Sequence, residues 1–284
     1  MKPWLLVLVL LIASLAVSLT AVFWRHALAA VSCAEEAVYD ADSPGSFSRA
    51  GLHVVMQPPE AVPLAERQQE YHTALLETLM HPDVAYVHVL TESVAHQTAL
   101  YQEVVPRELQ HKLRTFNINK RIWFADAVRY ANKYLNNATA MLCNADVSVY
   151  GANWGLINWS MLKNRMLAIT RHEQPGCSDQ CGCTLNWNGC MDCFAFVPPL
   201  EGGDVFLEIV SFRMGGLWGS ENRFLWEVQR FNPHLKISNP CFTFRTLHWH
   251  CTWQGYYRPT QEDRIISDNT RTLFPKPVRY HPLR

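Results

Sequence analysis

The stretch "CNADVSVY", residues 143–150, places an acid where an apolar segment stops. Thr139–Cys143 has the look of a buried strand, and Asp146 follows its end three residues later. A carboxylate there either turns the chain or holds something at the strand tip. A second candidate lies far along the chain, in "HWH": His248 and His250 are two residues apart and, on a strand, would point the same way. Two such histidines can be ordinary strand residues. Metal-dependent hydrolysis from that pair would need an acidic ligand nearby in the sequence, and none is there. The third feature is a run of five cysteines in 17 residues, "CSDQCGCTLNWNGCMDC", from Cys177 to Cys193. Thiolates at clean C-x-x-C spacings would hold zinc, but these spacings are irregular and fit disulfides better.

Elements must position these residues. "LHVVMQ" at 52–57 predicts a first strand, and Leu64, Tyr71, Leu75, Leu76 and Leu79 give residues 64–80 an apolar helical stripe. "VAYVHVL" at 84–90 alternates as a strand, and another is expected around 112–118. "FADAVRYANKYL", 124–135, predicts a helix with an inner face, and strand 139–145 follows it. Strand, helix, strand, helix, strand argues for α/β architecture with a mainly parallel central sheet flanked by helices. Open sheets of that kind bind ligands outside the carboxyl ends of their strands, which is where Asp146 falls. The second half predicts strands at 165–173 and 192–199, an extended segment at 204–212, a helix at 219–231 with Ser220 as its N-cap and Glu221 in its first turn, and late strands in "LKISNP" and "CFTFRTLHWH".

The whole chain sets the context. Its 284 residues carry 25 basic and 25 acidic side chains, which argues against a polyanion such as nucleic acid as partner. From Trp4 to Trp24 there is no charge for 21 residues, at ~1.5 Å rise per residue enough to cross a bilayer. The "ALA" at 27–29 resembles a signal cleavage site, but the span exceeds the usual signal-peptide apolar stretch of ~7–15 residues. The expected organisation is a short cytosolic tail (1–3), a signal-anchor (4–24), a stem (25–50), a catalytic-type domain (51–258) and a C-terminal tail (259–284). Nine cysteines and the sequons at Asn137 and Asn158 place the C-terminal part in an oxidising lumen, with N-glycans on those asparagines. Cys33 sits near the membrane, and the other eight permit four bridges whose pairing stays open.

An ordered set of short strings carries a family resemblance over about residues 68–258. They are "NADVSV" (144–149), "LAITRHE" (167–173), "CMDCFAF" (190–196), "GLWGSENRFLWEV" (216–228), "KISNPCFTFRTLHWH" (236–250) and "YYR" (256–258). Taken together they resemble glycosyltransferase-like proteins of the GT-A, or nucleotide-diphospho-sugar transferase, fold. The resemblance implies that Asp146 and a late histidine, His248 or His250, hold Mn²⁺ or Mg²⁺, which neutralises the departing nucleoside diphosphate. It also implies donor contacts from Asn144, Ser148, Arg171 and Asn222, with Glu221 as the base and Asp192 as a second binding acid. Trp218 and Trp249 offer sugar-stacking faces. The sequence departs from the family's N-A-D-x-x-x-D pattern at Tyr150, where an acid would stand, and at Glu221, where Asp is usual.

The resemblance implies a type II membrane glycosyltransferase of the Golgi or endoplasmic reticulum. It would transfer a sugar from a nucleotide-sugar to a glycan, glycoprotein or glycolipid. The two departures support a rival of another class, an inactive lumenal or surface binding protein on a degenerate transferase scaffold. If Asp146 is a simple ligand at a strand tip, Asp146→Asn should weaken Mn²⁺-dependent nucleoside diphosphate binding at least tenfold, about 1.4 kcal/mol, and leave stability nearly unchanged.

Overall fold

The computed structural model describes residues 51–175, 177, 182–184, 190–215, 219–252 and 275. The expected tail, anchor and stem (1–50), Cys33, Cys181, Trp218, the "YYR" string and, apart from Pro275, the segment 259–284 lie outside them. No helix among the described residues is long and apolar enough to cross a membrane.

The chain builds a seven-stranded sheet and a three-stranded one. The large sheet contains β1 (Leu52–Met56), β2 (Val84–Thr91), β3 (Leu113–Asn117), β4 (Thr139–Cys143), β6 (Arg165–Ile169), β8 (Cys193–Phe196) and β9 (Lys236–Ser238), in the order β3-β2-β1-β4-β8-β6-β9. β3, β2, β1 and β4 are parallel, joined by α1 (Ala65–Met80), by α2 (Val94–Ala99) with a π-helical turn at Leu100–Val104, and by α3 (Phe124–Tyr134). β8 is antiparallel to both its neighbours, and β9 is parallel to β6. A central strand of such a sheet is covered on both faces, so its residues are mostly apolar, and the buried His53 of β1 is satisfied by His88 of β2 at 3.0 Å. In β1, Leu52, Val54 and Met56 pack with Leu75 and Leu79 of α1, while Val55 packs with Phe124 and Val128 of α3.

The small sheet positions the chemistry. β5 (Val147–Tyr150), β10 (Arg245–His248) and β7 (His172–Glu173) lie in the order β5-β10-β7. β4 leads through Asn144–Asp146 into β5, and β6 leads through Thr170–Arg171 into β7. Two carboxyl ends of the large sheet therefore cross directly into the small one, with β10 between them.

Four sequence expectations change. Residues 204–212 are not extended: α5 (Gly203–Ile209) is helical, because Phe206 and Val210 form a buried i, i+4 stripe while Val205 is 60% exposed. The predicted strand at 165–173 splits, because Thr170 leaves the ladder to bond Asn239 Oδ1 through its N–H at 3.2 Å and the Cys190 carbonyl through its hydroxyl at 2.6 Å. The strand in "CFTFRTLHWH" is only Arg245–His248, since 241–243 form a turn closed by Thr243 N–H to the Pro240 carbonyl. Helix α6 (Ser220–Phe231) is capped by Gly219, not Ser220: Gly219 has φ 86°, a left-handed conformation glycine adopts without steric cost, and Ser220 donates its hydroxyl to Glu221 Oε2 at 3.0 Å.

The described cysteines form disulfides. Cys143–Cys193 joins β4 to β8, and Cys177–Cys251 and Cys183–Cys241 tie the segment after β7 to both sides of β10. Cys190 is also disulfide-bonded. The bridges at Cys143, Cys193 and Cys251 lie next to Asn144, Asp192 and His250. Both sequon asparagines are exposed. Asn137 sits in a left-handed turn, and Asn158 caps α4 (Trp159–Leu162) by accepting the Met161 N–H at 3.0 Å.

Candidate active site

Strand register brings the first group together. His248 on β10 faces Val147 on β5 and Glu173 on β7, and the Trp249 N–H donates to the Asp146 carbonyl at 2.8 Å. His248 therefore sits between two acids. Its Nε2 lies 3.3 Å from Asp146 Oδ2 and its Nδ1 lies 2.9 Å from Glu173 Oε2. His250 lies beyond the end of β10, so the two histidines do not share a strand face as expected. Their rings still meet edge to face at 5.4 Å. Asp146, His248 and His250 each offer one ligand atom, all within 4.8 Å of one another.

A second group lies where β4 and β6 end and β8 begins. The Asn144 N–H donates to the Asp192 carbonyl at 2.9 Å, and the Asp192 N–H to the Ile169 carbonyl at 3.1 Å. Arg171 joins the groups: Nε donates to Glu173 Oε1 at 2.7 Å and Nη1 to Asp192 Oδ1 at 2.8 Å. The Asn144 amide donates to the same Asp192 oxygen at 3.0 Å and also reaches Glu221. One chain of polar contacts thus runs Asp146–His248–Glu173–Arg171–Asp192–Asn144–Glu221. Asn144 Oδ1 and Asp192 Oδ2 are buried without a hydrogen-bond partner among the described residues. Unpaired buried acceptors are costly, and a ligand's donors would satisfy these two.

Electrostatics divides the roles. Burial would raise the Asp146 pKa, but His248 and then Arg67 hold it well below the usual carboxylate range. Burial would lower that of His248, but Asp146 and Glu173 carry it up to about 9, so the ring is an imidazolium at neutral pH in this state. His250 is lowered to about 4 by burial and by Arg67, which keeps its imidazole neutral. Glu221 is pushed up to about 7 by burial and by the Asp192 charge. A carboxyl poised there suits proton transfer near neutral pH.

The sequence-derived candidates divide accordingly. Asn144, Asp146, Arg171, Asp192, Glu221, His248 and His250 share the network, and Asn222 is buried beside Glu221 in the first turn of α6. Ser148 is withdrawn from it. On β5 it turns to α1, donating to Glu77 Oε2 at 3.0 Å and accepting from Trp249 Nε1 at 3.1 Å, which also ties up the Trp249 indole N–H. Arg171 is engaged with two carboxylates, an arrangement that fixes acids rather than a diphosphate. Tyr150 is 46% exposed on β5 and pairs with Arg245.

Arg67 escaped the sequence reading. In the first turn of α1, it pairs with Asp146 through Nη2 and donates through Nη1 to Glu70 at 2.7 Å and the Trp249 carbonyl at 2.8 Å. Its Nη2 also reaches the Tyr71 hydroxyl at 3.0 Å, and its guanidinium lies 4.2 Å from the Tyr71 ring centroid. Glu70 in turn accepts the Cys251 N–H at 2.7 Å and the Thr252 N–H at 2.9 Å.

No protein-family model and no curated protein matches the chain. Among solved structures it is similar to the mannosyltransferase PcManGT from Pyrobaculum calidifontis in complex with GDP-Man and Mn²⁺, at 11% identity, covering 86% of this chain and 70% of that one, with TM-score 0.45. It is also similar to GalNAc-T7 with UDP, GalNAc and Mn²⁺, at 13% identity, covering 74% of this chain and 45% of that one, with TM-score 0.42. The likeness is one of fold alone. At these values it says nothing about the site, whose chemistry follows from its own residues.

Proposed function

We propose that this chain is a glycosyltransferase, moving a sugar from a nucleoside-diphosphate sugar to a hydroxyl of a glycan, glycoprotein or glycolipid. The observation that carries this reading is the single polar network joining a carboxylate–histidine cluster at the end of β4 to a Glu221 carboxyl poised near neutrality. One hard oxygen from Asp146 and two imidazole nitrogens make a donor set that suits a transition ion such as Mn²⁺ better than Mg²⁺. Asp146, His248 and His250 would hold that ion, which supplies positive charge beside a departing diphosphate. To act as a ligand His248 must give up its proton, with Glu173 keeping the ring oriented. Glu221 takes the proton from the acceptor hydroxyl, and Asp192 Oδ2 with Asn144 Oδ1 orient the acceptor by receiving its hydrogen bonds. Arg171 keeps Glu173 and Asp192 in place.

The lumenal, type II placement in the Golgi or endoplasmic reticulum belongs to the same proposal. Disulfides and exposed sequon asparagines support it. The full chain, made in a secretory system and purified in detergent, should release nucleoside diphosphate from UDP- or GDP-sugars with Mn²⁺ and stop on chelation. Digestion with an N-glycosidase should lower its mass. Absence of release together with absence of nucleoside diphosphate binding would favour the second reading, a binding module without turnover. The ion pair between Arg67 and Asp146 speaks for that alternative, since a guanidinium already neutralises the acid.

A further inference from the structure

The Arg67–Asp146 contact is unusual for a site meant to take a cation. Asp146 Oδ2 has two positive or proton-bearing partners among the described residues, Arg67 Nη2 and His248 Nε2. A guanidinium stays charged at any working pH, so it cannot vacate the acid by losing a proton. A divalent cation and Arg67 would therefore repel one another across the same oxygen, in surroundings too buried for water to screen them: the two side chains are 12% and 17% exposed. Arg67 has somewhere else to go. Its Nη1 bonds to Glu70 and the Trp249 carbonyl do not involve Asp146, and its place in the first turn of α1 leaves its stem at a helix end.

We propose that Arg67 is a resident counter-ion of Asp146 which a divalent cation must displace, so that Arg67 sets how tightly this site holds metal. The proposal rests on the reading of Asp146, His248 and His250 as metal ligands and adds a residue that competes with the ion. In the metal-free state Arg67 keeps Asp146 neutralised and the His248–Trp249–His250 segment in place; binding exchanges one cation for another, and the guanidinium falls back on Glu70 and the Trp249 carbonyl.

The rival explanation gives the opposite sign. If Arg67 only scaffolds the segment around Trp249, removing it disorders His250 and weakens metal binding. Mn²⁺ alone should be titrated into the full chain and followed by electron paramagnetic resonance of the free ion and by calorimetry. Arg67→Gln is expected to bind Mn²⁺ at least tenfold tighter than wild type, and Arg67→Lys, which keeps the charge, within about threefold of it. Tyr71→Phe, which removes one partner holding Nη2, should tighten binding modestly, and it carries the test if Arg67→Gln does not fold. Equal or weaker binding by both Arg67→Gln and Tyr71→Phe overturns the competition. If Asp146→Asn still weakens Mn²⁺ binding in that case, the metal site stands without it. If wild type and all the Arg67 and Tyr71 variants are folded yet bind no Mn²⁺, the metal reading falls and takes the proposal with it.

Discussion

Asp146→Asn is expected to abolish Mn²⁺-dependent nucleoside diphosphate binding and to cut nucleotide-sugar turnover by about 10²–10³-fold, the usual cost of removing one element of charge stabilisation from an active site. The structure adds a consequence the sequence did not suggest. Asp146 is not a bare ligand at a strand tip but the partner of Arg67 and His248, with its backbone carbonyl bonded to Trp249. Asparagine removes the carboxylate shared by two partly buried cations, leaving Arg67 with Glu70 and His248 with Glu173, and breaking a buried pair from one side costs roughly 3 kcal/mol. The expectation of unchanged stability is therefore replaced by a clear loss in chemical denaturation. A double variant separates the terms: Arg67→Gln with Asp146→Asn should recover part of the stability while binding stays lost. A single variant as stable as wild type would mean the Arg67 pair carries no weight.

The parts of this arrangement legible in sequence were those with a period. β2 alternates and helices α1 and α3 carry apolar stripes, and those elements stand where the pattern put them. The α5 segment misled because Val205, Phe206, Leu207, Ile209 and Val210 form an apolar run too short to distinguish period 2 from 3.6. β5 and β7 were hidden for a different reason. They are four and two residues long and exist because β10 lies between them, 95–101 residues from β5 and 75 from β7 in sequence. Several residues of the polar network were singled out where they flank strand ends. Arg67 was not, because a charge near the start of a helix ordinarily faces solvent. One signal was present: Arg67, Tyr71 and Leu75 are spaced i, i+4, i+8, which puts the charge on the inward stripe. Ser148 stands apart from the network because β5 turns its side chain onto Glu77, a pairing across α1 that no local pattern announces.

Glu221→Gln should trade activity for stability, with a pH dependence that identifies the cause. Folding raises the Glu221 carboxyl from its ordinary 4.5 to about 7, through burial and then the neighbouring Asp192 charge. The folded protein therefore holds this proton more tightly than the unfolded chain does. The stability it contributes is fully present below pH 4.5 and is lost as pH rises through about 7, because ionisation then places a second negative charge beside Asp192. At 1.36 kcal/mol per unit the loss approaches about 3 kcal/mol. Glutamine is uncharged at every pH and keeps an oxygen for the Ser220 hydroxyl. The stability of the variant relative to wild type should climb between pH 4.5 and 7 and stay level above, measured by denaturant unfolding at closely spaced pH values. Turnover should move the other way. A base must be ionised to take the acceptor's proton, so wild-type kcat/KM should rise with pH through an apparent pKa near 7, and the variant should lose about 10²–10⁴-fold and that rise together. If the relative stability stays flat across this window, Glu221 does not ionise where its surroundings demand. If the stability difference appears but the rate profile survives in the variant, the strained carboxyl is structural and the base is another group.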